Sequence, residues 1–293
     1  MDISFLSLII FIIITLVYYL LPSLGKKKLT ISDVQLPDGS FNSDGMAEYY
    51  YSNFPRLGLY FLAIVISQFF LNISYLITKC GGDTSKNIGA AALFTFIPWI
   101  LIFGVLLGVL IIFPGFKSPF SDVVGYFAVS GKANELFSSL LVDTDVQEII
   151  NNSNDMSNTD KNSITRSAEA IMKICGNKSV LVNQLNPENF VDVWNLLKPL
   201  MKKMSPDELS KKQSELLDIV VLRDNIGEAV WYIYCAILIS SIVYYNLATR
   251  GCIKDINSIK ASHDKYIKDQ EDIDNQNKIN NSTVYTVSSE VQT

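Results

Sequence analysis

The sequence is poor in the side chains that most enzyme mechanisms need. His263 is the single histidine, and it lies in a polar C-terminal tail. This excludes Ser–His, Cys–His and histidine-ligated metal arrangements, which need an imidazole held against a partner. No Walker lysine loop, dinucleotide glycine fingerprint or paired CxxC motif occurs either. Catalysis by carboxylates alone stays open. The sequence otherwise predicts a protein that is not an enzyme and has no cofactor or metal site, and no motif in it indicates a small-molecule substrate.

Clustered basic charge is also missing. The formal net charge is −5. Neither residues 114–228 nor the C-terminal tail from residue 249 contains a basic patch. Proteins that bind nucleic acid neutralise phosphates with clusters of lysine and arginine. The sequence therefore predicts that nucleic acid is not a partner.

Cysteine is scarce as well. The four cysteines have neither the number and spacing of a disulfide framework nor the paired spacing of a zinc site. Cys80 and Cys252 each lie just beyond an apolar run, on the same predicted side of the membrane. They are candidates for reversible acylation or for a disulfide, and a third alternative is that both are unmodified interfacial thiols.

Uncharged apolar sequence is abundant and is gathered in four runs, at residues 3–24, 57–78, 88–114 and 229–249. A helix needs about 20 such residues to cross the roughly 30 Å hydrocarbon core of a bilayer. Buried helices of soluble proteins seldom lack charge on all sides over such a length. The predicted fold class is all-α: a four-helix transmembrane protein with one helical extramembrane region between the third and fourth spans.

The predicted organisation follows from these runs and from local capping signals. Ser205, Pro206 and Glu208 have the pattern of a helix start, and no strong breaker follows, so one helix is expected from Pro206 to about Thr249. The predicted segments are an N-terminal membrane anchor (1–25), an extramembrane loop (26–56), a transmembrane helical hairpin (57–114), a helical extramembrane domain (115–228), a fourth transmembrane helix (229–249) and a polar, mostly disordered tail (250–293).

Two features predict how the spans pack. In the third run, Pro98 predicts a kink, and Gly104 and Gly108 form a GxxxG motif that favours a close helix contact, with a lipid-facing surface as the alternative. In the second run, Gln68 and Asn72 are one turn apart and are expected to face a neighbouring helix. Hydrogen bonding between helices is the plainer interpretation of these two amides, and a transport role is the other.

The end of the third run has the character of a membrane-exit motif. Pro114 and Gly115 are expected to end the helix, Phe116 and Phe120 to stay at the interface after Pro119, and Lys117 to reach lipid headgroups. Any helix that leaves a bilayer could have a similar sequence.

One segment, residues 72–127, resembles multi-span membrane proteins of nucleocytoplasmic large DNA viruses. The resemblance implies a minor capsid-associated structural protein of the virion's internal membrane, which is derived from a host membrane during assembly. It rests on these residues: 72–75, Cys80, Gly81, Gly82, Asn87, Ile88, Gly89, 94–99, Phe113, Pro114, Gly115, Phe116, Pro119, Phe120, Ser121, Gly125 and Tyr126.

The functional hypothesis combines these points. The chain is expected to be a non-enzymatic integral membrane structural protein that links the bilayer to a capsid or scaffold layer, with capsid or other virion proteins as partners. Lysines follow the first span and none precedes it, so residues 115–228 are expected to face the cytosol and the capsid. The alternative hypothesis is a channel or carrier subunit of a cellular or viral membrane.

Overall fold

The structure is a computed structural model that describes residues 3–80, 84–141, 178–252 and 256–283. Within these ranges the chain is helical, and the only β-type pairings are two isolated bridges, Gln35 with Phe41 and Leu141 with Met201. The α-helices are α1 (Ile3–Leu20), α2 (Ile31–Val34), α3 (Ser43–Cys80), α4 (Thr84–Phe96), α5 (Gly104–Ile112), α6 (Ser118–Phe120), α7 (Tyr126–Leu140), α8 (Phe190–Leu197), α9 (Pro206–Thr249) and α10 (Ile256–Thr283). Wider π-helical turns at Ile97–Phe103 and Ser121–Gly125 and 3-10 turns at Pro114–Lys117, Lys178–Gln184 and Lys198–Leu200 complete the described elements.

Three helices are long and apolar enough to cross a membrane, which indicates an integral membrane protein. They are Ser43–Cys80, Asn87–Ile112 and Pro206–Thr249. The first apolar helix, α1, has 18 residues, a length of about 27 Å at the α-helical rise, which is slightly short of the hydrocarbon thickness. The all-helical class and three spans are supported for the described residues, and the fourth span that the sequence predicts, in α1, is not confirmed.

The apolar parts of α1, α3, α4, α5 and α9 pack into one bundle, here called the membrane core. Its centre is aromatic: Phe11, Trp99, Phe103 and Tyr232 are at most 1% exposed, with ring centroids of neighbouring pairs 5.6–5.8 Å apart. Pro98 lies within the π-helical turn Ile97–Phe103, the kind of local adjustment that accommodates a proline in a membrane helix. The predicted irregularity at Pro98 therefore takes the form of a wide turn.

A second apolar cluster, here called the head core, lies beyond one end of the bundle. Three helical segments form most of it: α7, α8 and the first half of α9. Each contributes buried side chains, among them Phe137, Trp194 and Leu216. Leu29, Val34, Met46 and Tyr49 belong to the same core. Residues 26–56 are therefore not a separate loop: they form part of the head, and α3 already begins at Ser43.

Helix α9 connects the two cores without a break. It has 44 residues, or about 66 Å. Ser205 caps its start, because the Ser205 hydroxyl accepts a hydrogen bond from the backbone N–H of Glu208 at 3.3 Å. Its first half buries Leu216 and Val220 in the head core, and its second half buries Tyr232 and Ile239 in the membrane core. The long helix that the sequence predicts is present, with the predicted start.

Helix α9 and the turn Ser121–Gly125 cross at very short range. A Cβ atom on Gly227 would lie 1.9 Å from the Ser121 hydroxyl and 2.6 Å from its backbone nitrogen, and one on Gly125 would lie 2.4 Å from the Arg223 carbonyl oxygen. Only glycine fits at these two positions, because the missing side chains make room for the other backbone. The crossing fixes the head against α9 just above the membrane core.

The C-terminal segment differs from the sequence expectation. Residues Ile256–Thr283 form a helix, α10, where a mostly disordered tail is predicted. All of its side chains from Ile259 to Ile279 are exposed. The polar composition of this segment is the kind that predicts disorder, because it offers no apolar face to bury. Its helix-forming residues nevertheless favour a helical backbone conformation.

Candidate functional site

Four charged side chains meet where the head joins the membrane core. The Lys26 ammonium lies 3.0 Å from a Glu228 carboxylate oxygen, and the Lys117 ammonium lies 2.6 Å from Asp224 and 3.1 Å from Glu228. All four side chains are 12–14% exposed. The Tyr19 hydroxyl also donates to Glu228, at 2.7 Å. These four residues, Lys26, Lys117, Asp224 and Glu228, are called the junction cluster below.

Three elements position the four members of the cluster. Asp224 and Glu228 are four residues apart on α9, so they lie on the same face of the helix. Lys117 ends the 3-10 turn that follows Phe113. Lys26 follows α1, and its backbone N–H donates to the Tyr18 carbonyl at 2.8 Å. The cluster therefore joins three segments that are far apart in the sequence.

The charges of the junction cluster balance, because two ammonium groups face two carboxylates. Burial alone would lower the pKa of Lys117, but the carboxylates of Glu228 and Asp224 outweigh burial and hold that pKa above its usual range. Lys117 therefore stays protonated at any pH that the protein meets. A buried, balanced cluster of this kind is a fixed structural joint, because separating any partner leaves an uncompensated charge at low dielectric.

A cavity of about 590 Å³ lies beside the cluster, and all four cluster residues form part of its wall. The rest of the wall is mostly aromatic and aliphatic and includes Tyr49, Tyr50, Tyr51, Phe54 and Ile111. The size and the mixture of apolar walls with a few polar groups are typical of ligand pockets.

Arg223 attaches the head to α9 next to the cluster. Its side chain is buried, and its guanidinium donates to the carbonyl oxygens of Val182 and of Leu185, the latter at 2.8 Å. Asp122 supplies a longer ion pair at 3.7 Å. Arg223 thus gives charge-assisted hydrogen bonds to backbone carbonyls in and just after the turn Lys178–Gln184.

The membrane-exit motif lies directly next to the junction cluster. Pro114 and Gly115 begin a 3-10 turn as α5 ends, and Pro119 starts α6. Phe116 and Phe120 both pack on Trp231, with ring centroids 6.4 and 5.8 Å away. The expectation for Lys117 is wrong in its partner: its ammonium is buried and paired with Asp224 and Glu228, and it does not extend to the bilayer surface.

The predicted packing residues are divided between three different contacts. Gln68 accepts a hydrogen bond from the Ser7 hydroxyl and donates to the Ser7 carbonyl at 3.0 Å, whereas Asn72 donates to the Thr95 hydroxyl at 2.9 Å. Both amides therefore bond to neighbouring helices, α1 and α4. Gly104 lies against Phe61, but nothing among the described residues is within 4 Å of a Cβ built on Gly108. The GxxxG motif does not form a continuous close helix contact within the described chain.

Cys80 and Cys252 form a disulfide that joins the end of α3 to the residues after α9. The Lys79 ammonium contacts the same end of α9 and donates to the carbonyl oxygens of Leu247 and Ala248 at 3.1 and 2.6 Å. This contact lies at the opposite end of the bundle from the head. Gly81 and Gly82, which also belong to the resemblance, lie outside the described residues.

Sequence reasoning did not find the junction cluster. Its members are separated by up to 202 residues, and no local pattern pairs them. One signal was available: Lys26, Lys117 and Glu228 each flank an uncharged run at its head-side end, where charges of opposite sign are expected to meet. Among the described residues, no group of three or more His, Cys, Asp and Glu side chains could hold a metal ion.

No protein-family model, curated protein or solved structure matches this chain.

Proposed function

We propose that this chain is a non-enzymatic structural membrane protein that holds a rigid helical head at a fixed position above the bilayer, where the head binds a capsid or scaffold layer. The single observation that carries the proposal is the continuity of α9, which buries side chains in both the head core and the membrane core. A partner bound to the head is thereby coupled to the bilayer through one unbroken helix.

Three further contacts support a load-transmitting joint. The junction cluster ties α9 to the segments after α1 and α5. The crossing at Gly227 and Ser121 leaves no room for sliding. Arg223 holds the turn Lys178–Gln184 against α9. A channel or a signalling protein with a moving head would instead need a hinge at this level.

The internal membrane of a large DNA virus is the proposed location, and the resemblance of residues 72–127 supports it. In the same proposal α1 is a fourth span. The head and the Cys80–Cys252 disulfide lie on opposite faces because they are at opposite ends of α3 and α9. Disulfides persist in oxidising compartments, so a disulfide on the lumenal face agrees with a cytosolic, capsid-facing head.

Cross-linking in purified virus particles tests the docking proposal. A lysine-reactive cross-linker should join the exposed head lysines Lys132 and Lys203 to coat proteins, and should not join the tail lysines Lys260 and Lys268 to them. Particles that lack the protein would overturn the proposal. So would particles in which the head lysines form no cross-link to the coat while coat proteins cross-link to one another.

The alternative of a channel or carrier subunit is not favoured by the arrangement of Gln68 and Asn72. Both amides are buried and bonded to Ser7 and Thr95. If liposomes containing the purified protein showed a selective flux that Asn72→Leu abolished, the alternative would replace the structural proposal.

A further inference from the structure

The cavity beside the junction cluster is positioned at the boundary between head and bilayer. Ile111 lies on its wall, and Ile111 is one residue from the end of the membrane-crossing segment Asn87–Ile112. Polar groups of the junction cluster form another part of the same wall. The cavity therefore extends from the hydrocarbon level to the level of the buried charges, which matches the dimensions of an amphiphile and not of a wholly polar solute.

Apolar side chains lead from the cavity towards the lipid. Phe54 and Ile111 line the cavity and are 65% and 53% exposed. Further along the same helices, Leu62 of α3 and Val105 of α5 are also exposed. In a membrane these side chains contact acyl chains, so a ligand with apolar tails can leave the cavity without exposing them to water.

The charges on the wall select the headgroup. The junction cluster is neutral in sum, and Glu188 on the same wall adds one negative charge. An anionic lipid would bring a charge that no unpaired cation on the described wall balances, at a site where uncompensated charge is costly. A zwitterionic headgroup adds no net charge, and its ammonium end can be balanced by Glu188 while its phosphate end takes the remaining donors of Lys26 and Lys117.

Tyrosines supply a second reason to expect an ammonium group. Tyr49, Tyr50 and Tyr51 all line the cavity, and the Tyr50 hydroxyl donates to a Glu188 carboxylate oxygen. Cations bind to the faces of aromatic rings, and clusters of rings are a common way of binding ammonium ligands. The carboxylate and the rings therefore favour the same chemical group.

We propose that this cavity binds one zwitterionic phospholipid with an ammonium headgroup, which completes the joint between the head and the bilayer. The phosphate lies beside Lys26 and Lys117, the ammonium beside Glu188 and the tyrosines, and the acyl chains pass Phe54 and Ile111 into the membrane. A cavity of about 590 Å³ holds the headgroup and glycerol with the first carbons of the chains.

Native mass spectrometry of the full-length protein, released from vesicles of defined composition, tests the proposal. The vesicles contain equal amounts of phosphatidylethanolamine, phosphatidylcholine and phosphatidylglycerol. One ethanolamine or choline lipid should stay bound per protein, at least ten times more often than the glycerol lipid. Equal retention of phosphatidylglycerol, or retention of no phospholipid, would overturn the proposal. Glycerophosphoethanolamine, which has the headgroup without chains, should not displace the lipid at equal concentration, and displacement would contradict the role given to the chains.

Matched variants connect the lipid to this cavity. Val221 lines the cavity and Leu222, the next residue on α9, does not, so Val221→Phe should reduce lipid retention at least tenfold and Leu222→Phe should not. Equal retention in both would overturn the assignment.

Should Val221→Phe fail to fold, as judged by circular dichroism and gel filtration, Tyr51→Ala takes its place, with Tyr245→Ala as its control. Both tyrosines are exposed, at 79% and 67%, but only Tyr51 lines the cavity. Tyr51→Ala should lower retention severalfold, and no difference from Tyr245→Ala would overturn the assignment.

Discussion

At the scale of single residues, Lys117 has the sequence position of a lysine that binds lipid headgroups, but in the junction cluster its ammonium forms structural ion pairs. Lys117 follows an apolar run, which is where a lysine ordinarily reaches lipid phosphates. In this protein Asp224 and Glu228 lie on the facing helix at ion-pair distance. The position of a charged residue next to an apolar run therefore does not reveal its partner, because the partner can lie more than a hundred residues away in the sequence, as Asp224 does from Lys117.

Replacing Lys117 tests the cluster. Lys117→Met leaves Asp224 buried without its ammonium partner, and a buried pair broken in this way typically costs about 3–5 kcal/mol. The midpoint of thermal unfolding in mild detergent should fall clearly. Lys28→Met is the matched control, because Lys28 and Asp218 form an ion pair whose side chains are 59% and 44% exposed, and exposed pairs contribute about 0–1 kcal/mol. Equal effects of the two variants would contradict the joint.

The stability that Lys117 contributes should not depend on pH in the physiological range. Its pKa in the folded protein is raised by the carboxylates of Glu228 and Asp224, which outweigh the opposite effect of burial. A raised lysine pKa stabilises the fold fully below the pKa of the unfolded chain, and that stability is lost only as the pH rises through the folded pKa. The difference in unfolding midpoint between wild type and Lys117→Met should therefore be constant between about pH 6 and pH 9. A difference that shrank steadily across this interval would disagree with the raised pKa.

At the scale of elements, the crossing of α9 with the turn Ser121–Gly125 depends on the absence of a side chain. In Gly227→Ala the new Cβ would meet the Ser121 backbone nitrogen at 2.6 Å, and the backbones must move apart, at a cost of about 1–3 kcal/mol. Gly131→Ala in α7 is the control, because no described residue lies within 4 Å of a Cβ built on Gly131, and alanine is favoured over glycine in a helix by about 0.5–1 kcal/mol. Thermal unfolding should show opposite signs for the two substitutions, and a neutral Gly227→Ala would contradict the close crossing.

The Cys80–Cys252 disulfide links the ends of two membrane helices that are 172 residues apart in sequence. Cross-links over long loops typically stabilise a protein by about 2–4 kcal/mol. Cys252→Ser should therefore unfold at a lower temperature than the oxidised wild type. Wild type treated with dithiothreitol should match the variant, and the reductant should not affect the variant further. Equal unfolding temperatures of oxidised wild type and variant would contradict a stabilising bridge.

The elements that the sequence predicted well are those set by local signals. Helix α9 was predicted with the right start because Ser205, Pro206 and Glu208 are adjacent and act on the same few backbone groups. The beginning of α3 was missed because the aromatic cluster of Tyr49, Tyr50, Tyr51 and Phe54 is typical of a loop at the membrane interface. In the structure this segment is helical, and Met46 and Tyr49 pack in the head core. The cluster and the cavity depend on such distant contacts, so the charges that flank the apolar runs could mark candidate members but could not show which of them pair.

At the scale of the whole molecule, the proposed function requires one orientation. The head must face the cytosol, where a capsid layer assembles, and the Cys80–Cys252 disulfide must face the opposite compartment. The lysines that follow α1 favour this arrangement, because positive charge next to membrane helices is retained on the cytosolic side. The same orientation places the disulfide where oxidation is sustained.

Accessibility of single introduced cysteines tests the orientation. Lys132→Cys places a thiol on the exposed surface of α7 in the head, and Lys268→Cys places one on the exposed helix α10 of the tail. In cells in which only the plasma membrane is permeabilised, a membrane-impermeant maleimide should label the head cysteine and not the tail cysteine. Both should react after full solubilisation, which controls for their reactivity. Among the described residues the native free cysteine, Cys235, is buried; Cys175 lies outside them and is replaced by serine in both variants. Labelling of the tail alone would invert the topology and remove the head from any capsid layer. Labelling of both before solubilisation would mean that α9, the one candidate span between the two positions among the described residues, does not cross the membrane.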